Sequence, residues 1–499
     1  MVSTISLQQF EEAVHAISKK AAIDGKPFDE VFSIDGVPLW WFYNRFITRN
    51  MIPFLPSFSR IHAALGRDVK KNYTSLFSAK MLWLSEEIKR RRASGRKDFS
   101  ENPVLFLTYT NHHTAKGIYR LEGILELLRG KNIAFSTLTA SPFTEKPRSF
   151  PKSMTVYDFI DREMISGAKK KAAELHALWK VKGRKSFREA GLWPQLEAHT
   201  DFLFSTEFLY LTFLYHAAMK EAIQETKTPL ICITANIGLL EKCAIVAGEN
   251  LGVPVLHLQH GFDTDFRKTD TSGFKNLYFG VFGEEDKKLL AETGVDGKKV
   301  FPTGGTFFDG LEKYVSTTPR KVIVKKVLLL SQPWVIDKMW ITRQRDDFLA
   351  EVEKICAELK AALVIKLHPR DNLSFYEHFV KGKNVSVAKD NLYGHIQEAD
   401  LVISVVSTTI SESVALNKPV LVLDMFNDAA EKAYVQRGVV LYAKSSAEVL
   451  KELPVFLEFF CGKDFSVKRK KYIQDYLYAL DGKSKERVVK VIESIRKFK

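Results

Sequence analysis

Lys366-Leu-His-Pro-Arg370, and further along Ser404-Val-Val-Ser407-Thr-Thr-Ile-Ser-Glu412-Ser-Val-Ala-Leu-Asn-Lys-Pro419, decide how this chain folds. Each belongs to a strand that runs into a polar turn. The apolar run Ala361-Ala-Leu-Val-Ile-Lys-Leu367 delivers His368, and Ala399-Asp-Leu-Val-Ile-Ser404 delivers the hydroxyls of Ser407, Thr408 and Thr409. The pattern predicts an α/β fold in which both clusters lie at the carboxyl ends of parallel strands, where open α/β sheets bind their ligands. Ser407 to Thr409 also open a predicted helix, whose first N–H groups favour a phosphate.

The residue types at these turns suit anion binding. Pro369 holds His368 extended and aims its ring away from the sheet, and Lys366 and Arg370 add positive potential. A histidine that merely ends a strand is the plain alternative. A helix cap would account for one of the three hydroxyls and explains three less well. Upstream, Gln259-His260-Gly261 follows the apolar run Val253–Leu258. A neutral imidazole with a pKa of about 6.5 suits a general base for a hydroxyl group, and Gly261 would let a ligand approach the backbone closely. Asp263 and Asp265 are competing bases, and His112 with His113 form a second candidate pair. Gly304-Gly305 has the look of a phosphate cradle, yet its spacing matches neither GxGxxG nor GxxxxGK[ST], so a linker turn is the other assignment. Asp263-Thr-Asp265 follows the His-Gly turn and reads as loop, so chemistry without a metal is expected.

These segments occur in a fixed order with Val281-Phe-Gly283, Lys299-Val-Phe-Pro-Thr-Gly304-Gly-Thr-Phe-Phe-Asp309 and Asp481-Gly-Lys-Ser-Lys-Glu-Arg487. From about Pro103 to Val489 that order resembles the GT-B glycosyltransferases of the capsule and wall-polymer branch. That branch includes Kdo transferases, bacterial sialyltransferases and CDP-glycerol glycerophosphotransferases. The resemblance implies two Rossmann-like domains facing across a cleft, with a helical N-terminal extension. It implies an inverting transfer of sugar from a CMP-, CDP- or UDP-linked donor to a surface polysaccharide or lipid-linked glycan, with no cofactor. His368 would then hold the donor phosphate or nucleotide, and His260-Gly261 matches a His-Gly pair that is functional in the glycerophosphotransferases. Glu412, seven residues before Pro419, would hold the ribose. Ser404 stands where the retaining enzymes carry an earlier glutamate, which favours the inverting branch. The alternatives are glycerol- or ribitol-phosphate transfer from a CDP-polyol and a non-catalytic nucleotide-sugar-binding scaffold. A sugar-nucleotide 2-epimerase is weakened by the absence of its carboxylate-rich pattern.

Composition sets limits of its own. With 499 residues, 45% of them hydrophobic, the chain has material for two or three domains. Cys232, Cys243, Cys356 and Cys461 stand far apart and suggest neither a zinc knuckle nor a disulfide framework, so a reducing cytoplasm is expected. The first residues lack a signal-peptide pattern, and no window approaches the ~18 apolar residues of a membrane span. The net charge of +15 gathers at Lys89–Arg92, at Lys169–Lys171 with Lys180 to Arg188, and at Lys468–Lys471. Each cluster reads either as a solvated helix face or as a surface for anionic lipid headgroups or an acidic glycan. Nucleic acid is not expected, since no motif for it accompanies the charge. The expected location is cytoplasmic and peripheral on the inner face of the cell membrane.

The predicted organisation is a helical extension over residues 1–99, with helices over Leu7–Ile23 and about Arg60–Arg92. A first Rossmann-like acceptor domain follows over 100–315, with a helical insertion over 158–228, and a donor domain with closing helices over 316–499. A helix is expected over Gly117–Leu128, and the aromatic run from Trp40 to Phe46 is assigned to core packing ahead of a membrane interface, an acceptor sugar or a partner. The resemblance suggests that the last helices cross back to the first domain.

Overall fold

The computed structural model describes residues 19–43, 84, 87–88, 101–108, 113–114, 117–118, 121–139, 153–191, 200–234, 238–261, 271, 273–336, 339–380, 384–430 and 432–497. The chain divides into two compact units. The first comprises residues 1–281, 287–301 and 485–499, and the second comprises 282–286 and 302–484. The boundary by contact thus lies near 301/302, where the sequence reading places it at 315/316.

The first unit is built on a seven-stranded sheet. Its strands are β1 (Val104–Thr108), β2 (Phe135–Thr139), β3 (Ser153–Thr155), β4 (Leu230–Ile233), β5 (Val255–Leu258), β6 (Leu277–Val281) and β7 (Val300–Pro302). Their spatial order is β7-β6-β5-β4-β1-β2-β3, and the pairs from β3 through to β6 are parallel. The chain starts in the middle, runs to one edge, then returns to β4 and runs to the other. Strand β1 is wholly buried because both its faces are covered, which is why it reads as an unbroken apolar run.

Alternate residues of these strands feed two separate cores. Val104, Phe106, Leu230, Cys232 and Leu256 meet helix α1 (Glu122–Gly130) together with a helix from the far end of the chain, Ser484–Lys497. That last helix contributes Val488, Val489, Val491, Ile492 and Ile495. Leu105, Leu107, Ile231, Ile233 and Val255 face the other way, toward helices α2 (Arg162–Leu178), α3 (Thr206–Thr226) and α4 (Leu239–Leu251).

The N-terminal residues 19–43 belong to this second core and are not helical throughout. Ala22–Ile23 pairs with Lys26–Pro27 and Ser33–Ile34 with Val37–Pro38, with a single helical turn between them. Phe28 and Phe32 stack at 4.4 Å and meet Trp179, Phe187 and Phe204 edge-on. Trp40, Phe42 and Tyr43 are buried in the same core, so this part of the aromatic run packs, while Phe46 lies outside the described residues. The rest of the expected N-terminal extension lies almost wholly outside the described residues.

The second unit carries a six-stranded parallel sheet. Its strands are β8 (Lys326–Leu330), β9 (Ala362–Lys366), β10 (Val385–Ala388), β11 (Leu401–Ser404), β12 (Val420–Leu423) and β13 (Leu441–Ala443). The order β10-β9-β8-β11-β12-β13 repeats the out-and-back winding of the first sheet and is the Rossmann order. Helices α5 (Thr342–Glu358), α6 (Leu392–Glu398), α7 (Thr408–Ala415), α8 (Ser446–Cys461) and α9 (Lys463–Tyr476) accompany it. The terminal helix Ser484–Lys497, α10, belongs to the first unit.

Three local expectations differ from what forms. The helix expected over Gly117–Leu128 begins only at Glu122, and His113–Thr114 pairs antiparallel with Gly117–Ile118 ahead of it. Strands β3 and β10 were not anticipated. Both are edge strands, and β10 is only partly buried, so neither carries the apolar run that marks the centre of a parallel sheet.

Gly283 shows how tightly the second unit is packed. A Cβ at that position would overlap the backbone carbonyl of Asp475 at the end of α9, and backbone cannot yield as a flexible side chain does. Gly283→Ala is therefore expected to destabilise the protein by at least the ~1–3 kcal/mol typical of overpacking. Urea unfolding checks this, and an unchanged midpoint would refute the contact.

Candidate functional site

In the second sheet the winding reverses between β8 and β11, and the candidate residues gather at that point. Strand β8 ends in Ser331 and Gln332, β9 in His368, and β11 in the turn that starts α7. Gln332 Nε2 donates to Ser407 Oγ at 2.9 Å, spanning the reversal. Ser407 is the N-cap of α7 and its Oγ also accepts from Thr409 N–H at 3.2 Å. With both lone pairs filled, the Ser407 hydroxyl proton goes to Thr409 Oγ1, 2.6 Å away, and the Thr409 hydroxyl is left to donate onward. Thr408 occupies the first helical position.

Helix α7 is held at its other end as well. Arg469 of α9 donates to the carbonyls of Val414 and Ala415, and burial lowers its pKa to about 10. Ser411 Oγ and Tyr472 OH lie 2.6 Å apart. Glu412 is buried within the helix.

The His368 turn is set by a network that the sequence reading did not anticipate. Ser331 Oγ accepts from His368 N–H at 3.1 Å and donates to Asp371 Oδ2 at 2.6 Å, and Tyr376 OH donates to the same oxygen at 2.6 Å. Arg370 N–H donates to His368 Nδ1 at 3.1 Å. In the neutral ring the proton then sits on Nε2, making that nitrogen a donor. Arg370 itself is exposed. The signal for Ser331, Gln332, Asp371 and Tyr376 was a polar group at the exit of the first strand and an Asp just past His-Pro. Neither is readable as a site until the strands are placed side by side.

Lys366 is engaged elsewhere. Its Nζ donates to the carbonyls of Leu367 and Lys389, both at 2.9 Å, which ties the end of β9 to the chain beyond β10. Burial lowers its pKa, with Asp390 pulling the other way. Gly304 has a left-handed φ of 75° and donates its N–H to the Phe282 carbonyl, while a Cβ on Gly305 would press on the Phe308 ring at 2.8 Å. The glycine pair is thus accounted for by turn geometry and packing.

In the first unit His260 and Gly261 follow β5, one strand from that sheet's own reversal between β1 and β4. Gln259 Nε2 donates to the Gly261 carbonyl at 3.0 Å. A Cβ on Gly261 would meet nothing within 4 Å, so local packing does not demand glycine there. His257, three residues before His260 and wholly within the core, is pushed down to about 3 by burial, with His260 adding to the effect. Asp263, Asp265 and His112 lie outside the described residues, and of His113 only the backbone pairing is described.

A second buried histidine, His216 on α3, approaches Asp35 with Nε2 to Oδ2 at 3.3 Å. That contact is not an ion pair at neutral pH, because burial holds His216 down to about 4 although Asp35 opposes the shift. Asp35 instead accepts from Lys220 and Asn250. Both histidines bind a proton more weakly folded than unfolded, where the pKa is about 6.5. As pH falls below that value the unfolded chain takes up protons first, so stability should drop by roughly 1.4 kcal/mol per pH unit for each histidine, down toward pH 4 for His216 and pH 3 for His257. His257→Gln should flatten the decline in melting temperature between pH 6.5 and 5. A variant that declines as steeply as the parent would disprove the role of His257.

No protein-family model matches the chain, and no curated protein matches it. Among solved structures, UDP-GlcNAc 2-epimerase from Neisseria meningitidis bound to UDP-GlcNAc is similar over 79% of this chain and 100% of its own, at 14% identity and a TM-score of 0.48. The Methanocaldococcus jannaschii UDP-GlcNAc 2-epimerase in complex with UDP-GlcNAc and UDP is similar over 78% and 99%, at 14% identity and a TM-score of 0.45. The wall teichoic acid polymerase TagF is similar over 92% and 98%, at 10% identity and a TM-score of 0.42. Likeness at this level says nothing of substrate or reaction.

Proposed function

We propose that the protein is an inverting GT-B glycosyltransferase that moves a sugar from a nucleotide-sugar to a surface polysaccharide or lipid-linked glycan. One observation carries the reading: Gln332, Ser407, Thr409 and His368 converge at the reversal point of a Rossmann-ordered parallel sheet, where such sheets take nucleotides. The site offers hydrogen-bond donors of the kind a diphosphate needs, namely His368 Nε2–H, the Thr409 hydroxyl and the start of α7.

In the proposed reaction an acceptor hydroxyl oxygen attacks the anomeric carbon and the bond from that carbon to the donor phosphate oxygen breaks. The nucleotide leaves with the electron pair. His260 takes the hydroxyl proton, and His368 with the α7 start stabilises the charge gathering on the departing phosphate. Glu412 is the assigned ribose ligand. A cytoplasmic location belongs to this reading and is supported by four unbridged cysteines, three of them buried.

Titrating CMP, CDP, UDP and GDP, with their sugars, into the purified protein tests the donor site. Binding should raise the melting temperature by mass action. A CMP response points to Kdo or sialic acid, a CDP response to a polyol phosphate and a UDP response to a hexose. No response to any of them would overturn the reading. His368→Ala should weaken the responding nucleotide by the ~1.5–3 kcal/mol of a charge-assisted bond while leaving the unliganded melt in place.

His260→Ala should separate binding from chemistry. If His260 is the base, the variant keeps nucleotide affinity and loses roughly 10²–10⁴-fold in turnover, measured as nucleotide released. Joint loss of binding and turnover would make His260 a donor ligand and pass the base role to Asp263, Asp265 or His113.

A further inference from the structure

Helix α2 does not stop at Leu178. It passes through a π-helical turn, Trp179–Gly183, into Arg184–Glu189 with helical dihedrals at both joints. The result is one rod over 162–189, roughly 40 Å long at 1.5 Å per residue. Its inner side buries Ala168, Ala172, Trp179 and Phe187. Gly183 leaves room for the rod's own Trp179 ring, since a Cβ there would lie 2.6 Å from it.

The exposed surface of the rod is strongly basic. Eight Lys and Arg are exposed along it against three Glu, among them Lys169, Lys170, Lys180, Lys185 and Arg188. Lys171 lies over the Phe213 ring, Lys182 pairs with Asp24 and Lys185 approaches Glu189 at 3.8 Å. Ala173, Ala177 and Val181 lie among these charges at helical spacing, and Val181 at 73% is the most exposed large hydrophobic among the described residues. Both aromatic rings of the rod face inward, so the outer side offers nothing on which a sugar or a base could stack. It carries basic residues at Lys169–Lys171 and Lys180–Arg188 with Ala173, Ala177 and Val181 among them, which complements an anionic surface rather than a glycan strand.

The basic cluster Lys468–Lys471 is engaged more fully. There Arg469 is committed to the end of α7, Lys471 to Asp475 at 2.6 Å, and Lys468 to the face of Phe459. The cluster Lys89–Arg92 lies outside the described residues. Among the described residues no helix is long and apolar enough to cross a membrane.

We propose that the outer face of the 162–189 helix docks the protein on anionic lipid bilayers, with Lys169, Lys170, Lys180, Lys185 and Arg188 meeting headgroups and Val181 entering the interface. The proposal goes beyond the transferase reading and stands without it. Cosedimentation of the full chain with phosphatidylcholine vesicles, with and without phosphatidylglycerol, tests it. Binding is expected only to the anionic vesicles, and it should fade as the screening length falls from ~10 Å at 0.1 M salt to ~3 Å at 1 M. The triple variant Lys169→Glu, Lys170→Glu, Lys180→Glu should bind at least about tenfold more weakly. Val181→Asp should weaken binding as well, while Lys468→Glu with Lys470→Glu should not. Circular dichroism confirms that each variant is folded. Absence of binding, equal binding to neutral vesicles, or binding indifferent to the triple variant would overturn the proposal. Tighter binding to a soluble acidic polysaccharide than to vesicles would overturn it in favour of a glycan partner.

Discussion

A parallel sheet must have both faces covered, and that constraint organises the first unit. Its strands carry apolar side chains on alternate sides, so no orientation leaves an apolar-free face for water. One side is closed by α2, α3, α4 and the N-terminal hairpins. The other is closed by α1 and by α10 from the opposite end of the chain. Five buried aliphatic side chains on α10 amount to roughly 7–15 kcal/mol by area, an upper figure. That is comparable to the ~5–15 kcal/mol net stability of a whole domain. The first unit is therefore incomplete until the last helix has been made.

The same winding places the candidate site of the second unit. Strands β9 and β10 lie to one side of β8 and the remaining three to the other, so the connections after β8 and β11 leave the sheet in diverging directions. Polar side chains at those exits have room to converge without filling a core. Gln332 bridges the gap to Ser407, and Ser331 with Asp371 sets the His368 turn. Helix α7 is fixed at its start by Ser407 and at its end by Arg469. Such fixed donors suit an anion, because little reorganisation is needed when charge arrives.

Burial also separates groups that the sequence presents alike. His257 and His260 are three residues apart, yet one is held neutral in the core and the other stands at the strand exit. Lys366 and Arg370 flank the same histidine, but Lys366 is consumed by two carbonyls while Arg370 is exposed. The basic clusters divide in the same way. The one on α9 is committed to a helix end, a carboxylate and a ring, whereas on the 162–189 helix Lys169, Lys170 and Lys180 are exposed beside Lys171 over Phe213 and Lys182 at Asp24.

By itself the sequence determined the central strands, because only a strand covered on both faces reads as an unbroken apolar run, and Val104–Thr108, Leu230–Ile233 and Leu401–Ser404 all do. It also determined the polar turns that follow them, including His368 and Ser407 to Thr409, since a proline or a hydroxyl cluster directly after such a run is a local signal. Edge strands β3 and β10 stayed hidden, because β3 is only Ser-Met-Thr and β10 is partly exposed, so neither presents an unbroken apolar run. Only the tertiary structure decided which turns meet. Gln332 and Ser407 are 75 residues apart and touch because β8 and β11 are neighbours. Strand order arises from the burial of whole faces, a property of the assembled sheet that no single stretch of chain carries.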